Sequence, residues 1–470
     1  MSEAQVERQR AASGATLLVL VGLGIAFALL VAFLAAAKTH SGPIFGEANM
    51  LYTALVLYVG ASTLYVGYGV TGIERQVNSA SLLTAIGFVA NTAAVAHRWS
   101  IAGRPPFSNM YEMLLSFVWT LALMTLIAER QYKVKIIGSI TMPITVISVI
   151  LMQLLPSDVR PLVPALQSTW LQVHVTLAML SYAACALSFA LAIMFLIKDN
   201  MKTESFQALT SAGMVAVYAA VLLTRFRAGA LAVTAYDLEG KSEVMISRGR
   251  PLFIQIPDLG WLYLLVLLSA LAPLVLYIAG QVKKNQLLFD YASKGMFVTL
   301  MLQAAGLAIF MARVRTGHYG SAEANGLYTS ALTANPFLLA AMVGGIIIGL
   351  LYMLLLWRRE ELNRMMPSAA DLDRITYKII CFAFPLLTLM IASGAYWANQ
   401  SWGTYWSWDP KETWAAITWL VYAGYLHMRI TRGWRGRRAA WFAILGFCVV
   451  IFTFFGVTYL LPGLHAYAAG

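Results

Sequence analysis

Residues Trp402 to Trp419 read WGTYWSWDPKETWAAITW and hold five of the chain's thirteen tryptophans. An aromatic belt at a membrane interface needs only one or two such residues at each helix end. Five tryptophans within this short stretch favour a platform for a large, flat, apolar ligand, while the belt remains the alternative.

The chain around this stretch is too apolar for a soluble domain. Of its 470 residues, 60% have hydrophobic side chains and 11% are charged. Runs of about 20 apolar residues, long enough for a helix to cross the ~30 Å hydrocarbon core, recur from end to end. A membrane β-barrel would show short alternating segments instead. The sequence therefore predicts an all-α fold, a polytopic transmembrane helical bundle.

We expect about thirteen spans. Their approximate positions are 15 to 37, 50 to 72, 80 to 97, 110 to 128, 136 to 154, 170 to 197, 207 to 225, 258 to 281, 286 to 312, 337 to 357, 377 to 399, 412 to 430 and 439 to 461. Residues 228–257 predict a small outer hairpin, with strands Ala230–Tyr236 and Ser242–Ser247. Residues 313–336 predict an irregular outer loop, either solvated or a docking surface for a partner.

The basic residues predict the orientation of the chain. The net charge is +12, but lysines and arginines punctuate the gaps between apolar runs and form no soluble patch for nucleic acid. The short loop after residue 428 carries five arginines and is expected to be cytoplasmic. The amino terminus is then cytoplasmic, and the carboxyl terminus, His174 and the tryptophan stretch lie on the periplasmic side of a bacterial membrane.

Asp409, Pro410 and Glu412 predict the start of a helix. An aspartate N-cap, a proline at the first helical position and a glutamate at the third form a capping box. A general acid among these carboxylates is the alternative.

His174 and His465 are predicted at the outer surface of the membrane, and His427 is predicted deeper, near the inner side. His427 follows Pro410 by 17 residues, which places it ~26 Å along a helix at ~1.5 Å per residue. His427 therefore cannot share one iron with His174 and His465. Ionisable residues within spans are costly and are functional by default. Neutral imidazole suits iron, so haem is the candidate ligand, and His97 is interpreted as an interfacial histidine.

Five segments carry a family resemblance. Trp402 to Trp419 resembles the WWD motif of the haem-handling proteins of cytochrome c biogenesis. WLQVHV from Trp170 with the following Ser181-Tyr182-Ala183, YLHMR from Tyr425 and YLLPGLHAY from Tyr459 resemble the first external, the transmembrane and the second external histidine segments of the CcsA (ResC) proteins of System II. PFSNMYE from Pro106 resembles their PLSNLYES segment, whereas Gly103-Arg104-Pro105 stands where the family more often reads GHF.

The resemblance implies four regions. Residues 1–80 form N-terminal helices, 81–200 the first part of the CcsA-like core with His174, 201–376 additional helices and outer loops, and 377–470 the second part with the WWD motif. The helices from about 207 to 357 are more than this pattern leads us to expect.

The resemblance also implies a cytochrome c haem lyase in the bacterial cytoplasmic membrane, with its site facing the periplasm. The expected catalytic residues are His174, His465, Trp402, Trp406, Trp408 and Asp409. The expected contacts to haem b are His174, His465, His427, Trp402, Gly403, Tyr405, Trp406, Trp408, Trp414 and Trp419, with the three histidines as iron ligands. Propionate partners could be Arg98, Arg104, Arg313 or Arg315.

The implied partners are a CcsB/ResB-type membrane protein, apocytochrome c with its CxxCH motif, a thioredoxin-like reductant and membrane lipid, without nucleic acid. Three other functions stay open from the residues alone. These are a haem transporter or chaperone without attachment activity, a membrane cytochrome b, and a System I relative of the CcmF type.

Overall fold

The computed structural model describes residues 46–153, 155, 157–159, 161–162, 164–237, 244–246, 250–321, 323–331, 335–461 and 463. Within these residues the chain forms thirteen α-helices, which are α1 Glu47–Thr71, α2 Glu74–Ala102, α3 Met110–Tyr132, α4 Gly138–Gln153, α5 Thr169–Lys198, α6 Thr203–Arg225, α7 Leu259–Lys283, α8 Gln286–Thr316, α9 Pro336–Met365, α10 Ala369–Trp402, α11 Pro410–Thr431, α12 Arg437–Ile451 and α13 Val457–Leu460. A π-helical turn, Phe452–Gly456, joins α12 to α13.

The predicted all-α polytopic membrane fold is confirmed. Ten helices of the described residues are long and apolar enough to cross a membrane, or eleven if the bent α9 is counted. The first predicted span, 15 to 37, lies outside the described residues. Helix α11 has the length of a span, with 22 residues, but is not among the ten, because its tryptophans, tyrosines, threonines and His427 make it less apolar.

The chain divides into two compact units. The first unit contains residues up to Val149, Ser157–Asn200 and the residues from Arg358 on. The second contains Ile150–Pro156 and Met201–Trp357. Arg358 stands at this boundary inside α9, where its φ of −121° and ψ of 23° interrupt the helix.

The second unit holds the β-structure at the place where the sequence predicts a hairpin. Ala230–Thr234 pairs antiparallel with Phe253–Ile256, and Leu231 stands opposite Ile256. The predicted partner, Ser242–Ser247, is therefore not the main one, although Val244 N donates to Ala235 O at 3.0 Å. The observed register brings apolar side chains of both strands into the interior, which stabilises this pairing.

The second unit also contains two-stranded pairs near its loops. Met245–Ile246 pairs with Arg250–Pro251. Tyr319–Gly320 pairs with Leu327–Tyr328, inside the segment that was predicted to be irregular.

A buried charge cluster joins several helices at one end of the first unit. Arg98 is 1% exposed and lies 3.1 Å from Glu112, which is fully buried. Glu112 also binds Arg104 at 2.8 Å, and Arg98 lies 3.4 Å from Glu47. Arg98 further donates to the backbone oxygens of Ser157 and Asp158. Buried charges survive only when they are paired and hydrogen-bonded, so this cluster ties α1, α2, α3 and the segment before α5 together.

Removing the Arg98 charge is expected to destabilise the protein strongly. Arg98→Met leaves the buried Glu112 carboxylate with one ion-pair partner fewer, at a cost of about 3 kcal/mol. The matched control is Arg374→Met, because the Arg374–Asp371 pair is mostly exposed and is worth at most about 0.5 kcal/mol. Thermal unfolding of the purified protein in detergent measures both. Equal unfolding temperatures for the two variants would contradict this assignment.

Candidate functional site

The tryptophan stretch forms the connection between α10 and α11 in the first unit. Helix α10 ends at Trp402, and Gly403 adopts a left-handed conformation with φ of 77°. Glycine takes this conformation without strain. Trp408 also has a positive φ, 58°, which is uncommon for a bulky residue and turns the chain into the next helix. The connection is therefore a sharply turned loop between two long helices.

Asp409 and Glu412 form the predicted capping box. The Asp409 side chain accepts a hydrogen bond from Lys411 N at 3.0 Å, and Glu412 accepts one from Asp409 N at 3.3 Å. Glu412 also accepts from Ser407 N at 2.8 Å and from Ser407 Oγ at 3.1 Å. Both carboxylates thus hold the loop against the start of α11, which gives them a structural role.

His174 lies in the second turn of α5 and faces α10. Its Nδ1 is 2.7 Å from the backbone oxygen of Met390. A carbonyl oxygen only accepts, so Nδ1 carries the hydrogen and the lone pair of the neutral ring is on Nε2. A hydrogen bond of this kind fixes the tautomer and ring orientation of a histidine that ligates a metal.

Gly394 makes room for the His174 ring. A Cβ at position 394 would lie 2.7 Å from both Cε1 and Nδ1 of His174, far inside ordinary contact distance. The ring also stacks on Trp397, with centroids 6.1 Å apart and planes at 26°. The lack of a side chain at position 394 therefore allows α5 and α10 to hold the imidazole between them.

Trp397 is itself held by the segment that precedes α5. Its Nε1 donates to Ala165 O at 2.8 Å, and Ser401 Oγ donates to the same oxygen at 3.0 Å. Its ring meets Trp402 edge to face at 5.0 Å. The indole that supports His174 is thus fixed from two directions.

A cavity of about 100 Å³ lies beside His174. Five elements of the first unit supply most of its wall, namely α5, α10, the loop that joins α10 to α11, α11 itself and the π-helical turn. The lining residues are Met113, Leu171, His174, Val175, Ala178, Met179, Tyr182, Met390, Ile391, Gly394, Ala395, Trp397, Ala398, Tyr405, Trp406, Lys411, Glu412, Ala415, Thr453 and Phe454. The wall is mainly apolar and aromatic, as small-molecule sites usually are.

The structure brings some of the predicted haem contacts to this cavity. His174, Tyr405 and Trp406 line it. Trp408 does not, and it is 76% exposed with its ring edge to face on Trp406 at 5.9 Å. Trp402 and Gly403 lie next to the wall at the end of α10, and Asp409 caps α11. Of the loop's aromatic residues, Tyr405 and Trp406 therefore form part of the cavity wall, and Trp408 is exposed.

Three predicted residues do not line the cavity. Trp414 packs on Phe452 with ring centroids 4.3 Å apart. Trp419 donates from Nε1 to Thr388 Oγ1 at 2.9 Å, farther along α11. His427 is exposed one turn before the end of this helix. His465 lies outside the described residues.

The end of α11 beside His427 is anchored by an ion pair. Arg429 Nη2 lies 2.7 Å from Asp373 Oδ2, and Asp373 also accepts from Gly436 N at 3.1 Å. The guanidinium stands over the Tyr377 ring at 4.6 Å. His427 is thus presented from a fixed helix end.

The arginines considered for propionates lie elsewhere. Arg98 and Arg104 bind Glu112, so their charges are already paired. Arg313 and Arg315 belong to the second unit. Sequence reasoning missed the cationic side chain that does line the cavity, Lys411, because it stood inside a motif already explained as a helix cap.

Sequence reasoning also missed Tyr182, Thr453 and Phe454. Tyr182 stands in the Ser181-Tyr182-Ala183 segment that carried part of the resemblance, and that match was the available signal. Thr453 and Phe454 lie in the π-helical turn, a geometry that is frequent at functional sites but has no signature in the sequence. Thr453 Oγ1 bonds Thr418 Oγ1 at 2.9 Å, which ties the turn to α11.

The chain matches a known protein family. The sequence profile of the cytochrome c assembly protein family matches residues 107–234 and 259–465. The match runs through the central helices as well as through the two histidine segments and the tryptophan stretch. The central helices are therefore part of the region that the family shares.

Individual relatives agree with this match. The chain is 33% identical to the cytochrome c biogenesis protein CcsA of Nostoc punctiforme, over 86% of this chain and 93% of that protein. It is 34% identical to CcsA of Synechocystis sp., over 83% and 88% respectively. Among solved structures, the cytochrome c haem lyase CcmF aligns with 91% of this chain and 73% of its own, at 15% identity and a TM-score of 0.32.

Gly394→Ala is expected to displace the His174 ring. The added methyl would lie 2.7 Å from both Cε1 and Nδ1 of His174, so the ring would have to move and the hydrogen bond to Met390 O would be lost. We expect at least a tenfold drop in haem bound by the purified protein, measured by absorption, with retained folding. Gly344→Ala in α9 is the matched control, because a Cβ there meets nothing within 4 Å. Normal haem content in Gly394→Ala would contradict the geometry.

Replacement of Trp406 is expected to lower haem content more than replacement of Trp419, although both residues belong to the tryptophan stretch. Trp406→Ala opens the cavity wall and should lower haem content several-fold, since a buried aromatic contact contributes about 1 kcal/mol or more. Trp419→Ala should leave haem content within about twofold of the unmodified chain, because Trp419 bonds Thr388 away from the cavity. Absorption spectra of both variants test this, and a larger loss in Trp419→Ala would overturn it.

Proposed function

Because the chain belongs to the cytochrome c assembly protein family, we propose that it holds haem b as substrate at the outer end of its first unit and attaches it to the CxxCH motif of apocytochrome c. The observation that carries this proposal is the His174 ring. It is oriented by Met390 O, supported by Trp397 and open to a cavity with an aromatic wall.

The residues present suit a haem substrate. A neutral imidazole with its lone pair on Nε2 is a good ligand for iron. The apolar and aromatic wall suits the face of a macrocycle. Sites for drug-sized ligands usually reach about 300 to 1,000 Å³, so a cavity of about 100 Å³ takes one edge of the macrocycle. The exposed Tyr405 and Trp408 then lie where the remainder would stand.

His465 is proposed as the second outer ligand. Gly463, two residues before it, lies against the tryptophan loop, since a Cβ at Gly463 would collide with the Asp409 carboxylate and with Pro410. The position of Gly463 at the start of α11 supports the proposed pair of His174 and His465, because a link of two residues spans at most about 7 Å.

The chemistry of attachment requires orientation more than a nucleophile in the protein. Each cysteine thiol of CxxCH adds across a vinyl group, forming a carbon–sulfur bond while the thiol proton goes to the other vinyl carbon. The substrates carry the reactive groups, and this chain supplies position and surroundings. Thiols react only when reduced, so a thioredoxin-like reductant is a proposed partner.

His427 is proposed as half of a deeper haem site. An ionisable side chain exposed along a membrane helix is costly unless it meets a partner. A CcsB/ResB-type membrane protein would supply the opposite ligand and cover this face of α11. With the arginine-rich loop after α11 in the cytoplasm of a bacterium, this deeper site is at the inner side and the His174 cavity faces the periplasm.

His174→Ala is expected to abolish attachment. Co-expression with an apocytochrome that carries CxxCH, and with the proposed partner, should give at least tenfold less covalent haem on a denaturing gel stained for haem. His97→Ala is the control, because His97 is at the same end of the first unit but does not line the cavity. Haem bound by the chain without covalent cytochrome, even in the unmodified protein, would favour delivery of haem over its attachment.

A further inference from the structure

Lys411 is the only lysine or arginine among the described residues that line the His174 cavity. It occupies the second position of α11 and shares the wall with Trp406 and His174. The residue is partly buried, and its ammonium group reaches the hydroxyl of the buried Thr458.

The Lys411 ammonium group has hydrogen-bond donors beyond the one that binds Thr458. Nζ donates to Thr458 Oγ1 at 2.8 Å, and an ammonium group has three donors. No ion pair within 4.0 Å joins Lys411 to a carboxylate in the part of the chain that the structure describes. A charge in such apolar surroundings calls for a counter-charge.

The nearby carboxylates are committed to the helix cap. Glu412 accepts from Ser407 and from Asp409 N, and Asp409 accepts from Lys411 N. The Lys411 ammonium is influenced by the charge of Asp409, but the capping box and Ser407 bind both carboxylates at the start of α11.

The electrostatics of the amino end of α11 do not favour a positively charged side chain at position 411. The amino end of a helix carries partial positive charge, and a lysine in the first turn is unfavourable by a few tenths of a kcal/mol or more. A lysine whose only role was solvation would lie on the outer surface. Lys411 instead reaches across to α13, next to the cavity.

We propose that Lys411 binds a carboxylate of the ligand that enters the His174 cavity. The inference rests on the proposed function, since haem carries two propionate carboxylates. Lys411 takes the place of Arg98 and Arg104 as the proposed partner of a propionate, because the charges of both arginines are already paired with Glu112. The site would thereby fix which edge of the macrocycle faces α13 and which edge faces the outside.

Titration of the purified full-length chain with haem and with haem dimethyl ester tests this proposal. The ester keeps the macrocycle and iron but has no free carboxylate. We expect the unmodified chain to bind haem on the order of tenfold more tightly than the ester, as one charge-assisted hydrogen bond implies. Lys411→Met should lose this preference and keep its affinity for the ester, which also shows that the variant is folded.

Two control variants complete the test. Thr458→Val removes the hydroxyl partner of Lys411 without changing the charge, and Lys411→Arg keeps the charge, so both should retain the preference for haem. A Lys411→Met variant that discriminates like the unmodified chain would overturn the inference, as would an unmodified chain that binds the two compounds equally. Neither result would touch the proposed function, whose separate test is the covalent haem formed with apocytochrome by the unmodified chain and by His174→Ala.

Discussion

The hydrogen bond between His174 and Met390 O is the constraint on which the site depends. It joins α5 to α10, the two helices that form most of the cavity wall. The bond forms only because position 394 lacks a side chain, and it decides which nitrogen of the ring can meet a metal. The tryptophan loop follows directly from α10, so the position of the histidine and the position of the aromatic wall are set by the same helix.

Features encoded in neighbouring residues were predicted well from the sequence. The start of α11 follows from Asp409, Pro410 and Glu412, whose side chains and backbone satisfy one another within four residues. The apolar runs predicted a helical membrane protein, since length and composition alone decide whether a helix can span. The family resemblance rests on five short segments and is confirmed by the match over most of the chain.

Features that depend on distant residues were not predicted. The partner of His174 is 216 positions away, and no pattern near either residue signals the bond. Arg98 and Arg104 looked available for a ligand because the sequence does not show that Glu112 is buried between them. The strand pairing in the second unit differed for the same reason, because packing of apolar side chains selected Phe253–Ile256. Lys411 belongs to the tryptophan stretch in the sequence, but only the structure shows that it lines the His174 cavity.

The π-helical turn at Phe452–Gly456 changes which side chains the last helix presents without changing the direction of that helix. A π turn holds one residue more than an α turn, and Thr453 and Phe454 of this turn line the cavity while Val457 continues the helix. Because one turn absorbs the additional residue, deletion of a single residue here would restore α geometry and leave Val457–Leu460 in nearly its present direction. The bulge is therefore a place where the chain can gain or lose one cavity-facing side chain without reorienting α13.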